Sequence, residues 1–242
     1  MNLIIDVGNS LMKLAVFNDG KLQTKVTSEK KNFLSALKGI INDFSGLKHC
    51  IVSSVGSFSE EELHVLKQCL SVIVLSHELK LLFINEYATP TTLGVDRIAL
   101  VCAAAYQYPN KNVLVIDVGS CITYDFLTSE NKYLGGAIAP GLEMRYKALH
   151  HFTANLPLLT AKVPENLVGN STNNSMHIGV FQGVISEIEG FVNRYIENFS
   201  HLTVILTGGD AHFLRDSIKN DIFANSNFLL EGLNYILEIN KD

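Results

Sequence analysis

The chain lacks the marks of several function classes. Its 242 residues hold only four cysteines, Cys50, Cys69, Cys102 and Cys121, with no Cys-x-x-Cys pair. Each lies beside or within an apolar stretch. Small buried hydrophobes in a reducing cytoplasm are therefore expected, rather than disulfides or zinc ligands. Lysine and arginine number 19 against 24 acidic residues, giving a net charge of -5, and no basic block is present. Nucleic acid and anionic membrane are thus not expected partners. No apolar run approaches the ~20 residues of a membrane span. The opening MNLIID carries an acid at position 6 and no basic segment before an apolar one, unlike a signal peptide. The histidines show no His-x-x-x-His spacing, and no Gly-x-Ser-x-Gly elbow is present. At 47% hydrophobic and 18% charged, the composition is that of an ordinary soluble globular protein.

What the chain does contain is one device used twice. Val113 to Phe126 reads VLVIDVGSCITYDF, an apolar run broken at Asp117-Val118-Gly119-Ser120. This is a strand, a tight glycine turn and a second strand. Leu3 to Phe17 repeats the pattern. Superposing Asp6 on Asp117 matches Gly8 with Gly119, Asn9 with Ser120 and Leu11 with Ile122.

The rest of each half follows suit. After the first hairpin, a third strand is expected near Leu22–Thr27. An amphipathic helix follows, with Phe33, Leu34, Leu37, Ile40, Ile41 and Phe44 on one face. Next come a buried strand at Cys50–Val55, a helix opened by the capping box Ser59-x-x-Glu62, a strand at Ser71–Leu75, and a helix from Ile98 to about Tyr106. The second half offers strands at Val113–Leu127 and Tyr133–Ala139 and a helix at Glu143–His150. A polar loop at Val163–Asn174 leads to a long helix over 175–197, and Leu202–Thr207 reads as a strand turning at Gly208-Gly209-Asp210. Each half is β-β-β-α-β-α, 1–109 and 110–242, with an insertion at about residues 140–175. Duplicated halves of this kind point to an α/β fold of the actin, sugar-kinase and heat-shock ATPase type, built from two ribonuclease-H-like halves with a nucleotide cleft between them.

Glycine turns expose backbone N–H groups that can meet phosphate oxygens, and Gly8 and Gly119 permit close approach. Asn9, Ser10 and Ser120 could donate hydrogen bonds. An aspartate at such a turn repels phosphate unless a cation intervenes, which suits Asp6 and Asp117. Asp-x-Gly is also plain turn chemistry, but two copies in matching halves favour function. Alternation puts Lys13 on the face of Leu11, either as a phosphate ligand or as a solvated lysine. Gly208 and Gly209 could let a flat ligand pack on the backbone, or simply turn the chain, with Asp210 capping the helix. Asp96 could be a helix N-cap beside a surface Arg97, or a proton acceptor beside an anion-binding guanidinium. Thr172 could cap a helix.

At these residues the sequence resembles the type III pantothenate kinases over nearly its whole length. The matching strings are DVGNSLMKLAVF (Asp6–Phe17), LGVDRIA (Leu93–Ala99), IDVGSCITYD (Ile116–Asp125), GGAIAPGLEMRYKAL (Gly135–Leu149), TANLP (Thr153–Pro157), the Asn170–Thr172 loop and LTGGDA (Leu206–Ala211). The resemblance implies ATP-dependent phosphorylation of pantothenate in coenzyme A synthesis. By it, Asp6, Val7, Gly8, Asn9, Ser10, Leu11, Met12 and Lys13 cradle the ATP phosphates, with Asp6 facing Mg2+. Ser120, Gly208 and Gly209 bind ATP, and Asp117 holds a monovalent cation, K+ or NH4+. Tyr87, Gly94, Val95, Asp96, Arg97 and Thr172 bind pantothenate, with Asp96 as the general base. A cytoplasmic homodimer is implied. The family usually has Asp-x-Gly-Thr-Ala where Asp117–Cys121 stand, and Asn where Ser171 stands. A regulator on the same fold, or a sugar kinase, are the rival readings; retention of both hairpins and of Asp96-Arg97 speaks against the first, and the Gly-Val-Asp-Arg string against the second.

Overall fold

The computed structural model describes residues 1–8, 11–54 and 58–241. Residue contacts divide the chain into two compact units, residues 1–109 with 227–242, and residues 110–226.

The first unit contains β1 (Asn2–Val7), β2 (Met12–Asn18), β3 (Lys21–Ser28), α1 (Phe33–Asp43), β4 (His49–Ser54), α2 (Glu60–Cys69), β5 (Ser71–Val74), the two-residue β6 (Ile84–Asn85) and α3 (Val95–Gln107). Its sheet runs β3-β2-β1-β4-β5. β1 is antiparallel to β2 and parallel to β4. Both faces of β1 are covered, which is why NLIIDV reads as an apolar run rather than an alternation. α1 buries Phe33, Leu37 and Ile40. Leu34 was expected on that face but is 45% exposed, because it falls one position off the buried 3.6-residue stripe. The capping box at α2 forms as its spacing predicts. The Ser59 hydroxyl accepts from the Glu62 amide at 3.1 Å, and the Ser59 amide donates to the Glu62 carboxylate at 2.9 Å.

The second unit contains β7 (Asn112–Val118), β8 (Cys121–Leu127), β9 (Lys132–Pro140), α4 (Leu142–His151), α5 (Thr172–Asn198), β10 (Leu202–Thr207), α6 (Ala211–Leu214) and β11 (Phe223–Ala224). Its strands run β9-β8-β7-β10-β11. This repeats the first unit's order element for element, with β7 antiparallel to β8 and parallel to β10. Each unit therefore has the ribonuclease-H-like strand order. α5 begins at Thr172, three residues before the expected start. It covers the sheet with Val180, Phe181, Val184, Ile185, Ile188 and Val192.

The C-terminal helix α7 (Phe228–Asn240) groups with the first unit, whereas the sequence division placed it in the second half. It packs on α3, with Gly232 so close that a Cβ there would lie 1.9 Å from the Ala99 carbonyl oxygen. Asn2 on β1 donates to Asn234 at 2.8 Å and to Glu238 at 2.6 Å.

Cys50 and Cys102 are buried as expected, and burial pushes the Cys102 thiol up to about 12. Cys69 is exposed and Cys121 half-buried, which departs from the expectation. α2 buries only Leu66, so its last residue faces outward. Cys121 sits at a turn, where β8 begins. Among the described residues, no helix is long and apolar enough to cross a membrane.

Candidate active site

The first hairpin places Asp6 directly opposite Lys13 in the β1–β2 register. Directly opposed residues share a face, and the Lys13 Nζ lies 3.7 Å from the Asp6 Oδ2. The turn is closed by the Gly8 amide donating to the Leu11 carbonyl at 3.1 Å. A Cβ on Gly8 would sit 3.0 Å from that carbonyl oxygen, so the turn backbone is tightly closed. Asn9 and Ser10 lie outside the described residues. Val7 and Met12 are buried on the flanking strands, and Leu11 is 46% exposed.

The second hairpin closes the same way, with the Gly119 amide donating to the Cys121 carbonyl at 2.9 Å. Val7 pairs with Met12 across the first turn, and Val118 with Ile122 across the second. The first turn is thus one residue longer. Met12, not Leu11, is the counterpart of Ile122, which corrects the superposition read from the sequence. Burial decides it: Met12 and Ile122 are core residues, while Leu11 is on the surface.

Asp6 is only 7% exposed. Burial pushes its carboxyl above the ordinary aspartate range, Lys13 pulls it back, and the Asp96 charge pushes it up again. The two carboxylates therefore feel one another within the first unit. Asp96 is the second residue of α3, and Gly94 occupies the N-cap position without a side-chain cap. Asp96 is thus not the N-cap residue, but its Oδ1 accepts the Arg97 amide at 2.8 Å, one of the first-turn N–H groups that a cap would satisfy. Val95 beside it is half-buried. Arg97 is no surface residue: it is 4% exposed, with its guanidinium carbon 5.6 Å from the Tyr87 ring centre, a cation–π distance. Tyr87 is held in turn by its amide, which donates to Asn85 at 3.0 Å. Tyr87, Gly94, Asp96 and Arg97 are therefore one cluster, tied electrostatically to Asp6.

Ser53 was missed by sequence reasoning. It pairs with Asp6 across β1–β4, is fully buried, and among the described residues its hydroxyl has no hydrogen-bond partner. Thr207 holds the matching place beside Asp117 on β10. That repetition is the signal that could have found both.

In the second unit, Asp117, Ser120, Gly208 and Gly209 gather at one end of the sheet. Gly208 has φ +102°, and a Cβ there would lie 2.3 Å from the Val118 carbonyl and 2.5 Å from Asp117 Oδ1. Only glycine fits this approach. The Asp210 amide donates to Val118 O at 3.0 Å, and the Gly141 amide to Ser120 O at 3.1 Å. Asp210 takes the N-cap position of α6, but its side chain makes no cap bond. Burial raises its carboxyl, His212 lowers it and Glu143 raises it. Thr172 is the first residue of α5, and the cap is its neighbour Ser171, which accepts the Asn174 amide at 3.3 Å. Serine thus retains the capping chemistry where asparagine is usual. Thr172 lines a cavity of about 690 Å³ with Arg145, Leu149, Leu156, Ser175, Met176, Gly179 and Val180.

Among the described residues, no group of three or more His, Cys, Asp or Glu side chains could hold a metal ion. A cation here would rest on one carboxylate plus oxygens brought by a ligand. That is how Mg2+ usually sits beside phosphates, and Asp6 and Asp117 at their glycine turns suit it.

The family model described as type III pantothenate kinase matches residues 2–194. The chain belongs to the type III pantothenate kinase family. A type III pantothenate kinase of Christiangramia forsetii is 51% identical over 241 residues, covering 100% of this chain and 99% of that one. Among solved structures, a Campylobacter jejuni protein described as a Baf family transcriptional activator has TM-score 0.64 at 24% identity, covering 98% of this chain and 97% of its own. A glucokinase from an Antarctic psychrotroph has TM-score 0.52 at 12% identity, with 98% of each chain covered. At such identities the structures carry the fold alone, an α/β fold that agrees with the repeated units the duplicated hairpins led us to expect.

Proposed function

We propose that the chain transfers the γ-phosphoryl group of ATP to the primary hydroxyl of pantothenate, giving 4'-phosphopantothenate in the first step of coenzyme A synthesis. The family match over residues 2–194 carries this reading. The Asp96 charge acting on the Asp6 carboxyl supports it, because a kinase needs its phosphate cradle and its proton acceptor within electrostatic reach.

In this reading the Gly8 turn and Lys13 hold the ATP phosphates, with Asn9 and Ser10 as further donors. Asp96 accepts the proton of the pantothenate hydroxyl as its oxygen bonds to the γ-phosphorus, and the bond to the ADP oxygen breaks. Its bond to the Arg97 amide fixes the carboxylate. Arg97, stacked on Tyr87, meets the anionic end of pantothenate, while Gly94 and Val95 give the substrate backbone to lie against. Thr172 contacts pantothenate. Ser120, Gly208 and Gly209 meet the nucleotide. Asp6 faces Mg2+ and Asp117 a monovalent cation, K+ or NH4+; when bound, these ions neutralise charge on the transferring phosphoryl group. The working form is a cytoplasmic homodimer.

The test is ADP release by the purified protein, with and without pantothenate, in potassium and in sodium buffer. Pantothenate-dependent release that is faster in potassium is expected. Absence of stimulation by pantothenate in both buffers would overturn the reading.

A further inference from the structure

The turn that carries Ser120 is braced by a charged pair distant in sequence. Pro140 pairs with Cys121 at the end of the β8–β9 ladder. The next residue, Gly141, donates its amide to Ser120 O at 3.1 Å. A Cβ on Gly141 would stand 2.2 Å from Gly119 O and 2.6 Å from Ser120 O. The Pro140-Gly141 backbone is therefore in tight contact with the hairpin tip, and a shift of one is a shift of the other.

Arg145, one turn into α4, grips this backbone. Its Nε donates to the Pro140 carbonyl at 2.8 Å, and its Nη2 donates to Glu187 Oε2 at 2.7 Å. Glu187 on α5 also accepts the Tyr124 hydroxyl on Oε1 at 3.0 Å. Burial first, and then the Glu187 charge, hold the Tyr124 phenol far above its ordinary range, so it stays a donor. Charge-assisted bonds of this geometry are the strong ones. Arg145 also lines the Thr172 cavity. One side chain thus touches that cavity, the long helix α5 and the backbone that supports Ser120.

We propose that Arg145, locked by Glu187, is a positioning residue for the nucleotide-binding turn Asp117–Ser120, acting through the Pro140-Gly141 backbone. The inference rests on the kinase reading above only for the identity of the ligand. Neither side chain touches the nucleotide. Their work is to hold the Ser120 turn in its binding geometry, at a cost in ATP affinity when either is changed.

The experiment compares Glu187→Gln and Arg145→Lys with the wild type. Direct ATP binding is measured by calorimetry, and the KM values for ATP and pantothenate are measured separately. Glutamine keeps the shape of glutamate but loses the charge. Lysine keeps the charge but cannot form the two-pronged grip on Pro140 and Glu187. Each variant is expected to weaken ATP binding about three- to tenfold, a fraction of one lost charge-assisted bond, because the Gly141 amide still holds the turn. The Glu187→Gln variant should leave the pantothenate KM within about twofold, because Glu187 does not line the Thr172 cavity. The double variant should lose no more than the worse single one, since both act through one link.

Unchanged ATP affinity in both variants would overturn the proposal. So would equal losses in both KM values together with a lowered Tm, the mark of a merely structural pair. A wild type that binds ATP but releases no ADP with pantothenate would sink the kinase reading and leave this one testable by binding.

Discussion

A Cβ placed on Gly94 would stand 2.4 Å from Oδ1 of Asp96, the same oxygen that accepts the Arg97 amide. Gly94 has φ -58°, a value any residue adopts, so its glycine is required by the carboxylate and not by the backbone. Gly94→Ala should therefore leave the fold nearly intact, within about 1 kcal/mol, while turning the Asp96 side chain away. Turnover at saturating substrates should fall ~10–100-fold, the scale of a small misplacement of a reacting group. A melt and a steady-state assay on the same sample would separate the two effects. Full turnover would mean that the carboxylate's position is not critical.

Asp96→Asn tests the proton acceptor itself. The amide keeps the size of the side chain but cannot accept the hydroxyl proton. Turnover should drop ~10²–10⁴-fold, with ATP binding close to that of the wild type. Retained turnover would move the base elsewhere in the cluster.

Asp6 gives a pH-dependent prediction. Its folded carboxyl titrates above the ordinary aspartate value of 3.8, with burial as the first cause. The fold therefore favours its protonated form. That contribution is full below 3.8 and is lost as pH rises through the folded value. At neutral pH, without nucleotide or divalent cation, ionised Asp6 opposes folding. Asp6→Asn should melt higher than the wild type at pH 7 in EDTA, and the difference should shrink toward zero as the pH falls to 3.8. The same substitution should abolish Mg2+-dependent ATP binding. A variant that melts lower at pH 7 would contradict the burial argument.

The sequence was legible where local chemistry decides, and opaque where a distant segment does. Both hairpins, the Ser59 capping box and the strand over 202–207 follow from turn residues and periodicity alone. The extra residue in the first turn could not be read that way, because Leu11 and Met12 are both apolar and only the partner strand decides which is buried. Arg97 read as a plausible surface residue, since nothing in Val95-Asp96-Arg97 announces that Tyr87, ten positions upstream, covers it. The return of α7 to the first unit depends on Gly232 meeting the Ala99 carbonyl, 133 residues away by number (232 - 99), and the Arg145–Glu187 bond spans 42 residues. Patterning finds elements; tertiary contacts choose their neighbours.

Gly208 offers the sharpest test of the second hairpin. Its φ of +102° lies where L side chains are rarely found, and a Cβ there would collide with both the Val118 carbonyl and the Asp117 carboxylate. Two separate penalties therefore fall on Gly208→Ala. The backbone strain should cost about 1–3 kcal/mol, seen as a lowered urea midpoint with an unchanged m-value. The clash with Val118, whose carbonyl is anchored by the Asp210 amide at 3.0 Å, must be relieved by a shift of the Gly208 turn. The clash with Asp117 must be relieved by rotation of its side chain, so its carboxylate should swing away. If Asp117 holds the monovalent cation, the variant should lose its preference for potassium over sodium before it loses pantothenate binding. Gly209 serves as the control: a Cβ there meets nothing within 4 Å, and Gly209→Ala should keep both stability and cation preference. Equal behaviour of the two variants would show that the close approach at Gly208 has no part in cation binding.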